Sequence, residues 1–372
     1  MKILLHVSGE IGTKGKNRLF FERKLAENIK KKIKGEIIRS FGSFLIDTDK
    51  KFKEKLKKIP GIAWIAEVEE IDKDLNKIKE NVWNYVKKQK IKRFNLEVKR
   101  RDKSIEKNSQ EIREELIKFL KKKGLKFSKS RKIFLELSKD WWVIYRKKEK
   151  GIGGLPTSTS GKVLSLISGG IDSCIASFLA MKKGLEVLYV HFHNYPSNDY
   201  FLIEDKILKI IKKLNDYQIT SKIYIIPFGE IQKEIIKKVD SKHRYLIYKF
   251  LMLKIAEEIA KQNNCKALIT GDSLGQVASQ TLENITSLIS FINLPIFMPL
   301  LTYTKDEIIE IAKKIGTYKL SIIPYSDCCS FMISKHPCTK IKKEEMEKLI
   351  KKFDVKRIVR KGLKESRQEI IL

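Results

Sequence analysis

A chain of 372 residues, 42% hydrophobic and 33% charged, describes a soluble globular protein with material for two or three cores. It holds no apolar run near the roughly 20 residues that span a bilayer, and its five cysteines do not form a disulfide framework. Its 78 basic and 45 acidic residues leave a net charge of +33, beyond the Lys–Glu balance of a thermophile surface, which points to a polyanionic partner such as nucleic acid. The first residues are too short for a signal peptide, so a cytoplasmic location is expected.

From the N-terminus the pattern predicts a strand over 2–8, a glycine- and cation-rich turn over 9–18, and a helix over 18–34. Short strands near 37–38 and 44–46, a helix over 50–58 and a strand over 62–68 follow, with Pro60-Gly61 between the last two. Then come a helix (75–89), a strand (93–99), a helix (109–122) and two strands (132–138, 141–146), read as an α+β module with antiparallel strands. Lys99-Arg100-Arg101-Asp102-Lys103 closes one strand and is either a solvated loop or an RNA contact. Glycines and small polar residues over 151–161 read as a linker. Beyond them strands at 163–167, 186–192, 222–227 and 267–270 alternate with helices, the signature of a doubly wound parallel sheet. The last basic segment, 340–367, reads as helical.

Within that second half, Ser168-Gly169-Gly170-Ile171-Asp172-Ser173 joins a strand directly to a helix. The glycines let backbone N–H groups approach an anion, and the helix N-terminus adds positive potential. The segment is not a Walker loop, which needs G-x-x-x-x-G-K-[ST]. It closely resembles the signature of the PP-loop ATP pyrophosphatases, which cleave ATP between the α and β phosphates and adenylate a carbonyl oxygen.

Three further stretches narrow the resemblance. The run from Thr270-Gly271-Asp272 to Gln280-Thr281-Leu282, Gly153-Gly154-Leu155-Pro156 with the basic turn at 9–18, and Ile315-Gly316-Thr317-Tyr318 leading to Asp327-Cys328-Cys329 are together similar to the tRNA 4-thiouridine synthases, the ThiI proteins. The resemblance covers essentially the whole chain. It implies a ferredoxin-like domain (1–60), an α+β THUMP RNA-binding domain (61–150), a linker (151–162), and a PP-loop ATP pyrophosphatase domain (163–372). It also implies the reaction: ATP activates O4 of uridine 8, pyrophosphate leaves, and a sulfur nucleophile expels AMP.

By the same resemblance, Ser168, Gly169, Gly170, Asp172 and Ser173 would hold the phosphates. Leu166, Ile167, His191 and Phe192 would line the adenosine, and Lys249, Gly271 and Gln280 would make further nucleotide contacts. Asp172 and, more weakly, Asp272 are the candidate Mg²⁺ ligands. Cys328 is the expected sulfur-bearing cysteine, with Cys329 as the alternative. Lys14, Lys16, Arg18, Arg100, Arg101 and Lys103 are the expected tRNA contacts.

The sequence also departs from the family. Relatives with a C-terminal rhodanese domain carry their persulfide there; this chain ends at Leu372, so an external donor, a cysteine desulfurase or free sulfide, is expected. Tyr245 and Tyr248 stand where some relatives have iron–sulfur cluster cysteines, and no cluster is expected. Cys174 replaces the proline that usually follows the loop, and reads as packing. A homodimer is left open, because one tRNA could span two subunits. The rival readings are another PP-loop tRNA-modifying enzyme and a catalytically inactive tRNA-binding protein.

Overall fold

The computed structural model describes residues 1–193, 200–324 and 334–372, and of 200–204 only the helical backbone. It divides into two compact units, Met1–Leu155 and Pro156–Leu372.

The first unit opens with β1 (Lys2–Val7), β2 (Gly35–Ser40), β3 (Ser43–Thr48) and β4 (Ile62–Glu67), all paired antiparallel. β1 is central and buried on both faces. Ile3 and Leu5 point to the helix Arg18–Lys32, which returns Phe21, Leu25 and Ile29 at a spacing of one helical turn. Leu4, between them, faces the other way, onto Trp141, Val143 and Tyr145 of a second sheet.

That second sheet holds β5 (Glu69–Ile71), β6 (Arg93–Arg100), β7 (Lys126–Leu137) and β8 (Trp142–Tyr145), in the order β5-β8-β7-β6. Its other face is covered by the helices Ile78–Lys88 and Ser109–Lys122 through Val82, Ile112, Leu116 and Leu120. The expectation of antiparallel strands fails at one place: β6 and β7 run parallel. The helix Ser109–Lys122 lies between them in sequence, and a helical crossover of that length returns the chain in its original direction.

β4, at 62–67, belongs to the first sheet, so that sheet extends past residue 60. The expected linker also begins differently. β9 (Glu149–Lys150) pairs with β4, and the glycines after it stay zipped to the same strand. Gly151 N donates to Ala63 O, Gly153 N to Ile62 O and Gly61 N to Gly153 O, each at 2.8 Å. A Cβ on Gly151 would lie 2.3 Å from Ile62 O, so only glycine allows this approach. Leu155 ends the run buried in the first core.

The second unit is built on β10 (Lys162–Leu166), β11 (Glu186–His193), β12 (Ser221–Pro227), β13 (Ala267–Ile269), β14 (Ile296–Phe297) and β15 (Arg367–Ile371). Their order is β14-β13-β10-β11-β12-β15. All pairs are parallel except β15, which adds antiparallel to β12. The basic C-terminal segment is therefore two helices, Lys343–Ile350 and Val355–Lys364, followed by an edge strand rather than helix throughout. From β10 the chain proceeds to β11 and β12 on one side, then crosses to β13 on the other. The crevice at that reversal, beyond the carboxyl ends of β10 and β13, is where such sheets bind ligands.

Candidate active site

A cavity of about 480 Å³ occupies this crevice. β10 delivers Leu166, Ile167 and Ser168 to it, β11 delivers His191 and Phe192, and the loop after β13 delivers Gly271, Asp272 and Gln280. Lys249 reaches in from the helix Arg244–Gln262.

The turn after β10 is braced by its own hydroxyls. Gly169 adopts φ +85°, a conformation open chiefly to glycine. Ser168 Oγ accepts from Gly170 N at 3.2 Å, and Ser173 Oγ accepts from Ser168 N at 3.3 Å. Gly170 then caps the helix Ile171–Lys182 without a side-chain hydrogen bond to that helix, which leaves the first-turn N–H groups available to an anion. Gly271 sits against this turn: a Cβ there would meet Ser173 N at 2.7 Å and Asp172 C at 2.9 Å.

Asp172, in the first helical turn, is held by two residues the sequence reading did not single out. Lys305 Nζ donates to its two oxygens at 2.8 and 2.9 Å, and Gln276 Nε2 to one of them at 3.1 Å. Lys305 opens the helix Lys305–Ile315, between the two residues of the Thr304–Glu307 capping box. A cation in a first turn opposes the helix dipole; that was the one available signal, and it is a faint one.

Asp272 is buried, and both its oxygens are taken. Lys249 Nζ lies 2.5 Å from Oδ1, Gln280 Nε2 donates to the same oxygen at 3.2 Å, and Thr270 Oγ1 donates to Oδ2 at 2.7 Å. Burial pushes this carboxyl up, but Lys249 and the hydroxyl and amide donors outweigh it and hold it below the usual range. A carboxylate so enclosed is a poor metal ligand and a good anchor for Lys249. His191 is also buried; burial lowers its pKa to about 4, so the ring is neutral and Nδ1 donates to Ile167 O at 2.8 Å.

Cys328 and Cys329 lie outside the described residues, as does all of 325–333. The flanks of that segment are anchored. Lys206 Nζ donates to Ser321 O and Ile323 O at 3.1 and 2.8 Å, while Ser334 N donates to Ser241 O and Cys338 N to Lys242 O. Pro337 lines the cavity. Cys174 is fully buried, its thiol pushed up to about 11 by that burial, and it packs as expected.

In the first unit the six expected RNA contacts divide. Lys16 and Lys103 are exposed, and Lys14 lies 5.1 Å from the Phe21 ring centre. The three arginines have partners inside the protein. Arg18 pairs with Glu22 at 2.7 Å, Arg100 Nη1 donates to Ile105 O at 2.7 Å, and Arg101 pairs with buried Glu136 at 2.7 Å.

The chain matches the family described as thiamine biosynthesis protein (ThiI) over residues 158–355 and the ThiI ferredoxin-like domain over 2–66. It belongs to the ThiI family. A protein named "Probable tRNA sulfurtransferase" from Caldanaerobacter subterraneus subsp. tengcongensis is 37% identical over 369 residues, covering 96% of this chain and 97% of that one. Another of that name, from Thermoanaerobacter sp. (strain X514), is 38% identical over 370 residues, with 96% and 97% covered. Among solved structures, a 4-thiouridine synthetase–RNA complex with bound ATP superposes with a TM-score of 0.88 at 32% identity, covering all of both chains. The PP-loop lies in the second unit, within the match over residues 158–355, and the ferredoxin-like domain lies in the first unit.

Proposed function

We propose that this protein is an ATP-dependent tRNA sulfurtransferase that converts uridine 8 to 4-thiouridine. The reading is carried by an intact PP-loop cradle, with Asp172 held by Lys305, at the sheet's switch point, in a chain that matches a 4-thiouridine synthetase over its whole length. The chemistry accounts for the parts. Uracil O4 is a poor leaving group; its attack on the α phosphorus releases pyrophosphate and leaves an adenylate. A sulfur nucleophile then adds at C4 and AMP departs. A persulfide is the natural nucleophile, and we assign it to Cys328, with Cys329 as the neighbouring alternative. Its outer sulfur bonds to C4 as AMP departs. A thiol then attacks the cysteine's own sulfur, breaking the S–S bond, releasing 4-thiouridine and leaving a disulfide that an external thiol reduces.

Ser168, Gly169, Gly170 and Ser173 would hold the phosphates by backbone N–H groups and hydroxyls. Lys249, steered by Asp272 and Gln280, would neutralise phosphate charge, and Leu166, Ile167, His191 and Phe192 would line the adenosine. Mg²⁺ fits this site through Asp172 alone. Among the described residues no three His, Cys, Asp or Glu side chains converge as metal ligands, and Mg²⁺ characteristically uses one or two carboxylates together with substrate phosphates. When bound there it would offset charge on the departing pyrophosphate. Asp172 would supply the carboxylate, positioned by Lys305 Nζ at 2.8 and 2.9 Å from its two oxygens.

tRNA would be held by lysine–phosphate contacts on the first unit, Lys14, Lys16 and Lys103 among them, with affinity that falls steeply with salt. Among the described residues no helix is long and apolar enough to cross a membrane. The sulfane sulfur of the persulfide would come from a cysteine desulfurase; free sulfide, already at the oxidation level of the product, would add to C4 directly.

The test is to incubate unmodified tRNA with the protein, ATP, Mg²⁺, a cysteine desulfurase with cysteine, and a reducing thiol, and follow 4-thiouridine absorbance and AMP. Product that needs ATP and disappears in Asp172→Ala and Cys328→Ala is expected. AMP without thiouridine would favour a different PP-loop tRNA modification, and no nucleotide turnover would favour an inactive tRNA-binding protein.

A further inference from the structure

Two basic segments far apart in sequence, 9–18 and 99–103, meet at one exposed aromatic ring. Phe41 forms the turn between β2 and β3 and is 72% exposed. The turn beneath it is tied on every side. Gly42, at φ +72°, donates its N–H to Glu22 Oε1 at 3.1 Å, and its carbonyl accepts from Val7 N at 3.2 Å. Arg101 Nη1 donates to the Phe41 carbonyl, and the Arg18 guanidinium lies 3.7 Å from the ring centre. Both arginines are in turn fixed by almost fully buried carboxylates, Glu22 and Glu136, at 2.7 Å.

An isolated surface phenylalanine needs no explanation. One whose backbone is pinned by two buried Arg–carboxylate pairs is presented in a preset orientation, at the cost of holding two charged pairs out of water. The guanidinium backs the ring, and exposed cations lie close to it in sequence: Arg39, Lys16 and Lys103 each stand two residues from Phe41, Arg18 and Arg101 respectively. An apolar protein partner would have to bury against those charges. An unpaired nucleotide fits both parts, its base on the ring and its phosphates on the cations.

We infer that Phe41, backed by Arg18, is a stacking platform for an unpaired base of the RNA substrate. This rests on the proposed reading that tRNA is that substrate. Arg18 and Arg101 then serve recognition by holding the platform, and the lysines around them contact the backbone.

The experiment measures the affinity of an unmodified tRNA transcript for the full chain by fluorescence anisotropy across a KCl series. Wild type is compared with Phe41→Ala, Phe41→Leu, Phe41→Trp and Lys16→Ala. Phe41→Ala should weaken binding by about 5-fold or more with an unchanged salt slope, and Phe41→Leu should not rescue it. Phe41→Trp should restore affinity, with tRNA-dependent quenching in excess of that shown by the four native tryptophans. Lys16→Ala should instead reduce the salt slope by about one. Wild-type affinity in Phe41→Ala, or full rescue by leucine, would overturn the platform while leaving the substrate reading intact. A wild-type protein that does not bind tRNA would overturn both.

Discussion

Gly271→Ala tests whether the loop after β13 must lie directly on the phosphate cradle. The glycine has no left-handed φ, so alanine suits its backbone and only space is at issue. The new Cβ would sit 2.7 Å from Ser173 N and 3.0 Å from Ser173 Cα, about 0.7 Å inside an ordinary contact. The neighbour is backbone at the start of the helix Ile171–Lys182 and cannot rotate away, so the loop or the helix must move by that amount. Overpacking of this kind costs about 1–3 kcal/mol. A cradle shifted by half an ångström or more also loses its hydrogen-bond geometry to phosphate, which should weaken catalysis by about 100-fold. ATP affinity by titration calorimetry and pyrophosphate release with tRNA would be measured beside thermal unfolding. Gly12→Ala is the control, since a Cβ there has nothing within 4 Å. If Gly271→Ala matched wild type in ATP affinity and turnover, the close approach would have no bearing on nucleotide binding.

Lys305→Ala removes the amine that spans both Asp172 oxygens. Its side chain is 44% exposed, so folding should be unaffected while ATP cleavage falls about 100-fold; unchanged turnover would reduce the pair to a surface contact. Glu136→Ala strips buried charge from between His6, at 3.1 Å, and Arg101, at 2.7 Å. Urea unfolding should show the first unit losing about 3 kcal/mol, and a loss under 1 kcal/mol would contradict a buried charge pair at this position. His191 titrates near pH 4 when folded, below its ordinary 6.5. Between those values the unfolded chain binds a proton that the folded chain refuses, so stability falls as pH drops through that window, by about 2 kcal/mol from pH 7 to 5. His191→Asn, which can keep the donation to Ile167, should lose that share of the pH dependence in unfolding measured at both values; identical pH profiles would refute it.

Short-range features were legible in the chain. The cradle at 168–173 needs only a strand, two glycines and a helix in immediate succession, and β1 announces itself by six apolar-rich residues before a turn. What depends on distant partners was not. Lys305 meets Asp172 across 133 positions, and nothing local to either residue names the other. Arg18, Arg100 and Arg101 looked like free cations because their acceptors, Glu22 apart, lie on other strands and loops or are carbonyls. β15 escaped notice because Arg367, Gln368 and Glu369 carry no strand-like apolar alternation; its place comes from pairing to β12 and from Asn215 Nδ2, which donates to Ile371 O at 2.9 Å. The glycines after Lys150 looked like a tether for a similar reason: what they bond to is β4, far back in the chain.

If the proposed transfer places sulfur on one atom of one nucleotide, mass spectrometry of nuclease-digested tRNA after reaction with ATP, Mg²⁺ and sulfide will show it. A single 4-thiouridine at position 8 is expected, absent from a transcript carrying cytidine there and absent when Asp172→Ala replaces wild type. Sulfur at another nucleotide, or thiolation that proceeds without ATP, would contradict it.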